Sequence, residues 1–345
     1  MSQGEETTGG KGYTVRRLEP AEYPAWDTLV WESPAGTLFQ TSWWLEALCR
    51  LTGAQLEIVG CFDKKGALWG GCALYARQTG PWKRALFPPA CPYNGMAVRR
   101  RDTPNYRRQM VHTLEVTEAL AAYLEEHYSE TLLAHRYELA DVRSMSWRGW
   151  ETALRYTYEG ETAELKQLLR VTTRTRRQKF ERAQELGYTC QAEDDITAFL
   201  PLYRATYFRH GLDTPLNPSQ VEAMYRLARE RQAARLFITH SPAGEPVSGM
   251  IILMDPHRCY TWLFANHPAH LREGVPTFTV LSTIAALAGL VRVVDHASAN
   301  FPQLHRSVLE EGGILKPVLV THHNRSRLLQ CIHEMGFILG GEHAR

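Results

Sequence analysis

An α+β fold in two tandem domains, each a mixed, mainly antiparallel sheet flanked by helices, is what this sequence predicts. Three observations carry it. The chain has 345 residues, 44% hydrophobic and 22% charged, ordinary for a globular protein and long enough for two domains of common size. Residues 234–240, 246–255 and 258–267 form three strand-like runs joined by short turns, an antiparallel meander. The order helices, strands, then strand-helix-strand also occurs twice, changing over near Tyr158–Glu164. The expected layout is a frayed tail over 1–12, a first domain over 13–160 and a second over 161–345.

The elements follow in order. YTVRRL from Tyr13 reads as a short strand, and helices are expected from Ala21 and from Thr41, where Thr41 and Ser42 offer an N-cap. QLEIVGCF and ALWGGCALYA read as strands around a turn at Asp63–Gly66. ALFPPACPYNG holds too much proline for an internal strand and predicts a loop turning at Asn94 and Gly95. A long amphipathic helix is expected over 105–127, then a strand in TLLAHRYEL. The second half opens with a basic helix closed by Gly187, in the left-handed position that glycine fills without steric cost. Helices over 194–209 and 219–231 lead into the meander. A helix over 275–290, a strand VRVVDHA, a helix over 304–311 and a last strand PVLVTHH complete the unit.

Composition excludes several function classes. The first residues carry acids and glycines instead of a basic start and an apolar run, so no secretory signal is expected. The best candidate for a membrane span, Thr277–Val294, is interrupted by polar residues and Arg292, so no integral membrane segment is expected either. Seven cysteines, odd in number and without a CxxC pair, fit reduced thiols in a cytoplasmic protein better than a disulfide framework or zinc ribbon. HExxH, GxSxG and Walker motifs are missing, and the adjacent His322 and His323 point to opposite faces of a strand, so no metal site is predicted.

Local charge is more informative than the net +2. Six cations fall within Arg170–Arg182, against Glu181 alone. At 100° per residue Phe180 and Ala183 mark the buried side of this helix, and Arg176 and Arg177 flank Phe180 at the rim. With Lys179 they are candidate contacts for an anionic substrate, since the arginine fork matches phosphate and carboxylate. A solvated face that pairs with nearby glutamates accounts for the same charges. A second basic run, Arg99–Arg108, has five arginines against Asp102. Strand periodicity sets Tyr260, Trp262 and Phe264 on one face, suited to lining an acceptor pocket or to core packing. Asp295 and His296 end a strand, where site residues collect, and His296 is a candidate proton acceptor. Phe39, Gln40 and Trp43 form an aromatic-rich helix start, and Tyr93 lies in the proline-rich loop.

TLFQTSWWLEAL, GWETALRYTYEG, RTRRQKFERAQELGY, and RVVDHASA followed by LHRSVLEEGGILKPVLV resemble the successive landmarks of the FemAB-like, BioF2-type acyltransferases. The resemblance spans nearly the whole chain. It implies two domains of the GCN5-related N-acetyltransferase (GNAT) fold and transfer of an acyl or aminoacyl group to an amine or hydroxyl of a cell-envelope or polysaccharide precursor. Some members take the group from aminoacyl-tRNA, so the implied donor is an aminoacyl-tRNA or an acyl thioester, with no tightly bound cofactor. The implied partners are an anionic small-molecule or lipid-linked substrate and tRNA. By the same resemblance the first domain, with Phe39, Gln40, Trp43 and Tyr93, helps shape the acceptor cleft. The family carries phenylalanine-lysine and phenylalanine-glycine pairs before the final strand; RSVLEEGGILKP here has neither, with Arg306 earlier and Lys316 later. Either cation substitutes, or catalysis is absent and the chain is a binding or scaffold protein. In LREGVPTFT, Arg272 and Gly274 stand at the wrong spacing for a coenzyme A pyrophosphate loop, and Pro276 removes a donor.

Overall fold

The computed structural model describes residues 7–9, 12–297, 300 and 305–326. The chain forms two compact units: one runs to Leu154 and takes back the segment from Val318, and the other is Arg155–Pro317. This differs from a division at residue 160 because the last strand pairs with the first unit.

In the first unit β1 (Thr7–Gly9) pairs antiparallel with β2 (Tyr13–Arg17), so part of the expected tail is an edge strand. Composition hides it because only the two threonines favour a strand. Two helices follow, α1 (Tyr23–Glu32) and α2 (Ser42–Thr52). Thr41 is the N-cap residue of α2, but its hydroxyl donates to Leu38 O. The cap comes from Asp27, whose carboxylate accepts from Ser42 N at 2.6 Å and Ser42 Oγ at 2.7 Å. The sheet continues through β3 (Gln55–Asp63), β4 (Leu68–Thr79), β5 (Trp82–Leu86) and the two-residue β6 (Ala97–Val98) on β4. Helix α3 (Tyr106–His127) buries Val116, Leu120 and Leu124 and crosses over to β7 (Glu130–His135), which pairs parallel with β5. A short α4 (Arg143–Trp147) precedes β8 (Glu151–Glu161).

The second unit begins within β8 and continues with α5 (Leu165–Val171) and α6 (Arg174–Glu185). The basic stretch is therefore two helices. Thr172 is extended (ψ 140°), its hydroxyl bonded to Leu168 O at 2.9 Å, and Thr173 stands at the N-cap position of the next helix without a side-chain cap bond. Two consecutive threonines disfavour the helical state by χ1 stiffness and by competing backbone bonds. Arg170 thus lies on α5, apart from Arg176 and Arg177 on α6. β9 (Thr189–Glu193), α7 (Phe199–Arg209) and α8 (Pro218–Glu230) lead into the meander of β10 (Ala234–His240), β11 (Pro246–Met254) and β12 (Arg258–Asn266). Helix α9 (Val275–Ala286) crosses over to β13 (Val293–Asp295), which lies parallel to β12 and antiparallel to β8. After α10 (His305–Glu310), β14 (Ile314–Asn324) runs on into the first unit, where Leu319–Asn324 pair with β7.

Each unit thus sets antiparallel strands beside one parallel pair joined by a helical crossover. In the second unit α6 and α9 cover one sheet face, with Phe180 stacked on Phe278 at 5.1 Å. Helix α7 packs on β11 and β12. Gly274 is required where α9 begins: φ is +86°, and a Cβ there would lie 2.1 Å from the carbonyl oxygen of Lys179.

Candidate functional site

The parallel pair of the second unit is short. Arg258, Cys259 and Tyr260 pair with Val293, Val294 and Asp295, and there the ladder ends, while β12 continues to Asn266 against β11. Asp295 causes the parting. Its buried carboxylate accepts from Thr157 Oγ1 at 2.6 Å and from Ala297 N at 3.0 Å, turning the chain so that Ala297 takes φ +51°. Left-handed backbone at a non-glycine residue marks a place where surrounding structure holds strain, a frequent property of sites. Among the described residues, Thr261 Oγ1 donating to His296 O at 2.9 Å ties the two chains beyond the ladder. One residue further, β12 is bulged: Ile251 faces Leu263 while Ile252 faces Thr261, leaving Trp262 as the extra residue. A bulge interrupts the ladder and re-aims side chains. At the far end α7 closes the strand, with Thr206 Oγ1 accepting from Asn266 N at 3.0 Å and Arg209 Nη1 donating to Asn266 O at 3.2 Å. Beyond Tyr260, β12 is thus flanked by the end of β13 and by α7 instead of by a continuing parallel ladder.

The bulge overturns the single aromatic face. Phe264 packs into the same apolar cluster as Cys259, five residues away, which an unbroken two-residue period forbids. Tyr260 is fully buried and its hydroxyl donates to Asp255 Oδ2 at 2.6 Å, so it holds a turn and lines no pocket. Trp262, at the bulge, is 9% exposed.

His296 is buried, its backbone N–H donating to Tyr158 O. Burial pulls its imidazole down to about 4, with Asp295 opposing, so it is neutral at pH 7 and a weak base. Arg176 has a different task from gripping substrate. Its Nε donates to Glu310 Oε2 at 2.9 Å and its Nη1 to Thr277 Oγ1 at 3.0 Å, with Glu311 Oε1 at 3.9 Å. Burial pushes the Glu311 carboxyl up to about 7, against the lowering influence of Arg176. Glu310 also accepts from Arg306, a cation the resemblance made available for catalysis. Arg177 keeps more capacity: Nη2 reaches Thr172 O at 3.3 Å, and its buried Nε has no partner. Lys179 is exposed.

The corresponding gap in the first unit is filled. Between β5 and β7 the proline-rich loop returns, and Asn94 Nδ2 donates to Leu86 O at 3.3 Å and Leu132 O at 2.9 Å while Oδ1 accepts from Ala134 N at 2.8 Å. Met96 N donates to His135 Nδ1, whose Nε2 faces Thr321 Oγ1. The residues expected to shape an acceptor cleft serve this plug and its surroundings. Gln40 Nε2 donates to Gly95 O at 2.7 Å, Tyr93 lies 5.5 Å from the Arg136 guanidinium, and Phe39 and Trp43 each meet Trp44 edge to face. Phe39, Gln40 and Tyr93 are buried, and Trp43 is half-buried.

Sequence reasoning missed Asn94 as a bridge, Thr157, Thr261 and the paired Glu310 and Glu311. Asn94 alone carried a local signal, as a turn residue. Among the described residues no cluster of three or more His, Cys, Asp or Glu is arranged to hold a metal ion, and no helix is long and apolar enough to cross a membrane. Ser298, His333 and Cys331 lie outside the described residues.

The family model for the acetyltransferase (GNAT) domain matches residues 168–298, which include α6, β12 and β13. No curated protein is detectably similar in sequence. Among solved structures, FemX superposes with a TM-score of 0.67 at 15% identity, covering 92% of this chain and 99% of its own. A tandem GNAT protein from the clavulanic acid biosynthesis pathway gives 0.53 at 13%, covering 91% and 99%. L-PGS from Bacillus licheniformis gives 0.53 at 13%, covering 95% and 98%. Residues 168–298 match the acetyltransferase (GNAT) domain, and the chain as a whole has the fold seen in FemX and in the tandem GNAT protein.

Proposed function

We propose that the protein transfers an acyl or aminoacyl group to an amine or hydroxyl of a cell-envelope or polysaccharide precursor, with the donor carbonyl held where β12 and β13 part. The observation that carries this reading is the asymmetry of the units: in the second the β12–β13 ladder ends at Asp295, whose carboxylate turns the chain at Ala297, whereas in the first Asn94 bridges β5 and β7. The resemblance to FemX and L-PGS in fold supports an aminoacyl or acyl donor. In the reaction the acceptor nitrogen or oxygen attacks the donor carbonyl, a C–N or C–O bond forms, and the ester C–O or thioester C–S bond breaks. The leaving oxygen or sulfur departs with the proton the acceptor loses, because neutral, buried His296 is too weak a base to keep it. Backbone N–H groups near the Trp262 bulge stabilise the oxyanion, and orientation of the two substrates supplies much of the rate. Arg177 and Lys179 on α6 meet the anionic part of a substrate, whether lipid-linked pyrophosphate or tRNA backbone, and no cofactor stays bound between turnovers.

A second reading, a non-catalytic GNAT-fold scaffold in envelope or exopolysaccharide assembly, is favoured by Arg176 and Arg306 both being committed to Glu310. Labelled acyl-CoA, acyl carrier protein and aminoacyl-tRNA, each offered with a lipid-linked amine, separate the two. Transfer from one donor class, reduced at least tenfold in Arg177→Ala/Lys179→Ala with an unchanged melting temperature, is expected if each cation contributes a charge-assisted contact. No transfer from any of the three leaves the scaffold reading.

A further inference from the structure

The start of α3 and the short α4, both in the first unit, expose side chains that a solvated surface does not need. Tyr106 is 75% exposed, Trp147 69% and Val111 44%. Tyr106 and Trp147 lie near one another, with Arg143 between them. Thr117 Oγ1 and Ser144 Oγ lie 2.7 Å apart in the buried seam between the helices, fixing α4 on α3. Arg143, beside Trp147 with its guanidinium 5.5 Å from the ring, is within electrostatic reach of the Tyr106 hydroxyl. Val111 follows Arg107 by four residues and Arg108 by three, so all three share one face of α3.

The charge around these apolar groups is mainly positive, with Glu115 and Glu118 further along α3. Arg100, Arg107 and Arg108 are exposed and without an ion-pair partner among the described residues. Of the nearby acids, Asp141 is 9% exposed and engaged by Arg143 at 2.7 Å, which leaves Asp102 as the exposed counter-charge of the Arg99–Arg108 run. Unpaired arginines around an exposed tryptophan, tyrosine and valine match the boundary between lipid headgroups and acyl chains, where amphipathic rings and apolar side chains enter and cations meet phosphate. A single-stranded RNA platform fits less well. Bases stack on free aromatic faces, while here Arg143 already attends the Trp147 ring and Val111 offers no stacking surface.

We propose that this surface docks the protein peripherally on an anionic phospholipid membrane, with Tyr106, Trp147 and Val111 entering the headgroup layer and Arg100, Arg107 and Arg108 meeting phosphates. The inference is independent of acyl transfer in the second unit, because it is read by binding alone. Flotation of the full chain with vesicles of phosphatidylcholine, with and without phosphatidylglycerol, tests it. Binding is expected only with phosphatidylglycerol present, and it weakens as salt rises from about 0.1 to about 0.5 M. Arg107→Gln/Arg108→Gln should weaken it roughly 30-fold, near one decade or less per cation at the surface. Tyr106→Ser/Trp147→Ser should weaken it about tenfold through lost apolar insertion. All four positions are exposed, so melting temperatures stay unchanged. Equal binding to neutral vesicles, or binding that survives both double variants, overturns the proposal. So does tRNA binding lost in these same variants without any vesicle binding, which assigns the surface to RNA.

Discussion

Replacing Asn94 with alanine is expected to lower the stability of the first unit by about 3 to 4 kcal/mol. The side chain is 2% exposed and makes three hydrogen bonds to strand backbone, two donated to Leu86 O and Leu132 O and one accepted from Ala134 N. Alanine keeps the main-chain bond from residue 94 to Ala134 O and strands the other three groups away from water. Each buried orphan costs about 1 to 3 kcal/mol, partly relieved where water enters the loosened loop. Asn94→Asp should be no better, because it retains an acceptor for Ala134 N and turns a negative oxygen toward two carbonyls. Urea unfolding of the purified variants measures the loss. A change under about 1 kcal/mol for Asn94→Ala means the loop is held by its prolines and by Tyr93, and the bridge is incidental.

Acidification is expected to affect the two units unequally. In the first unit burial holds His135 down to about 3. The unfolded chain takes up that proton as pH falls below about 6.5 while the folded chain does not, so stability is lost on the way down, by about 2 kcal/mol at pH 5. His112 and His323 are shifted in the same direction by burial. His322 opposes them: its bond to Glu130 raises its pKa, a contribution fully present below the unfolded value and lost as pH rises through the folded one. In the second unit His296, held at about 4, gives a similar loss. Glu311 works against it. With a folded pKa of about 7 it is protonated in the fold and ionised in the unfolded chain between about pH 4.5 and 7, so falling pH restores about 2 kcal/mol across that window. Buried thiols report each unit: Cys61 and Cys72 in the first, Cys259 in the second, all 0% exposed. Urea titrations at pH 7.5 and pH 5, pulsed with a thiol reagent active in acid, should move the Cys61 and Cys72 midpoint down and leave that of Cys259 nearly in place. Equal shifts at all three thiols contradict the assignment.

The strands of the meander, the long α3 and the crossover helix α9 were legible because their signals are local: alternation, helical spacing, and turn residues at the breaks. The bulge at Trp262 was not, since nothing in RCYTWLFANH marks where the two-residue period slips, and the aromatic face inferred from that period went with it. The task of Arg176 depends on Glu310, 134 residues away, so a run rich in cations looked available until its partner appeared. The same limit hid Asn94, whose turn character is local but whose bonds span β5 and β7. The place of β14 was hidden too, since its pairing with β7 joins residues nearly 190 positions apart. The two arginines flanking Phe180 at the helix rim were read correctly in direction. Their partners, supplied by other elements, decided that Arg176 braces the fold and left Arg177 with a spare donor.

The central claim is that the donor lies where β12 and β13 part. Amide hydrogen exchange of the full chain, with and without the donor that supports transfer, tests it most directly. The predicted result is donor-induced protection of Thr261–Asn266 and of Asp295–Ala297, with Asn94–Met96 and β7 unchanged. Protection confined to the first unit, or turnover with no change along β12, contradicts it.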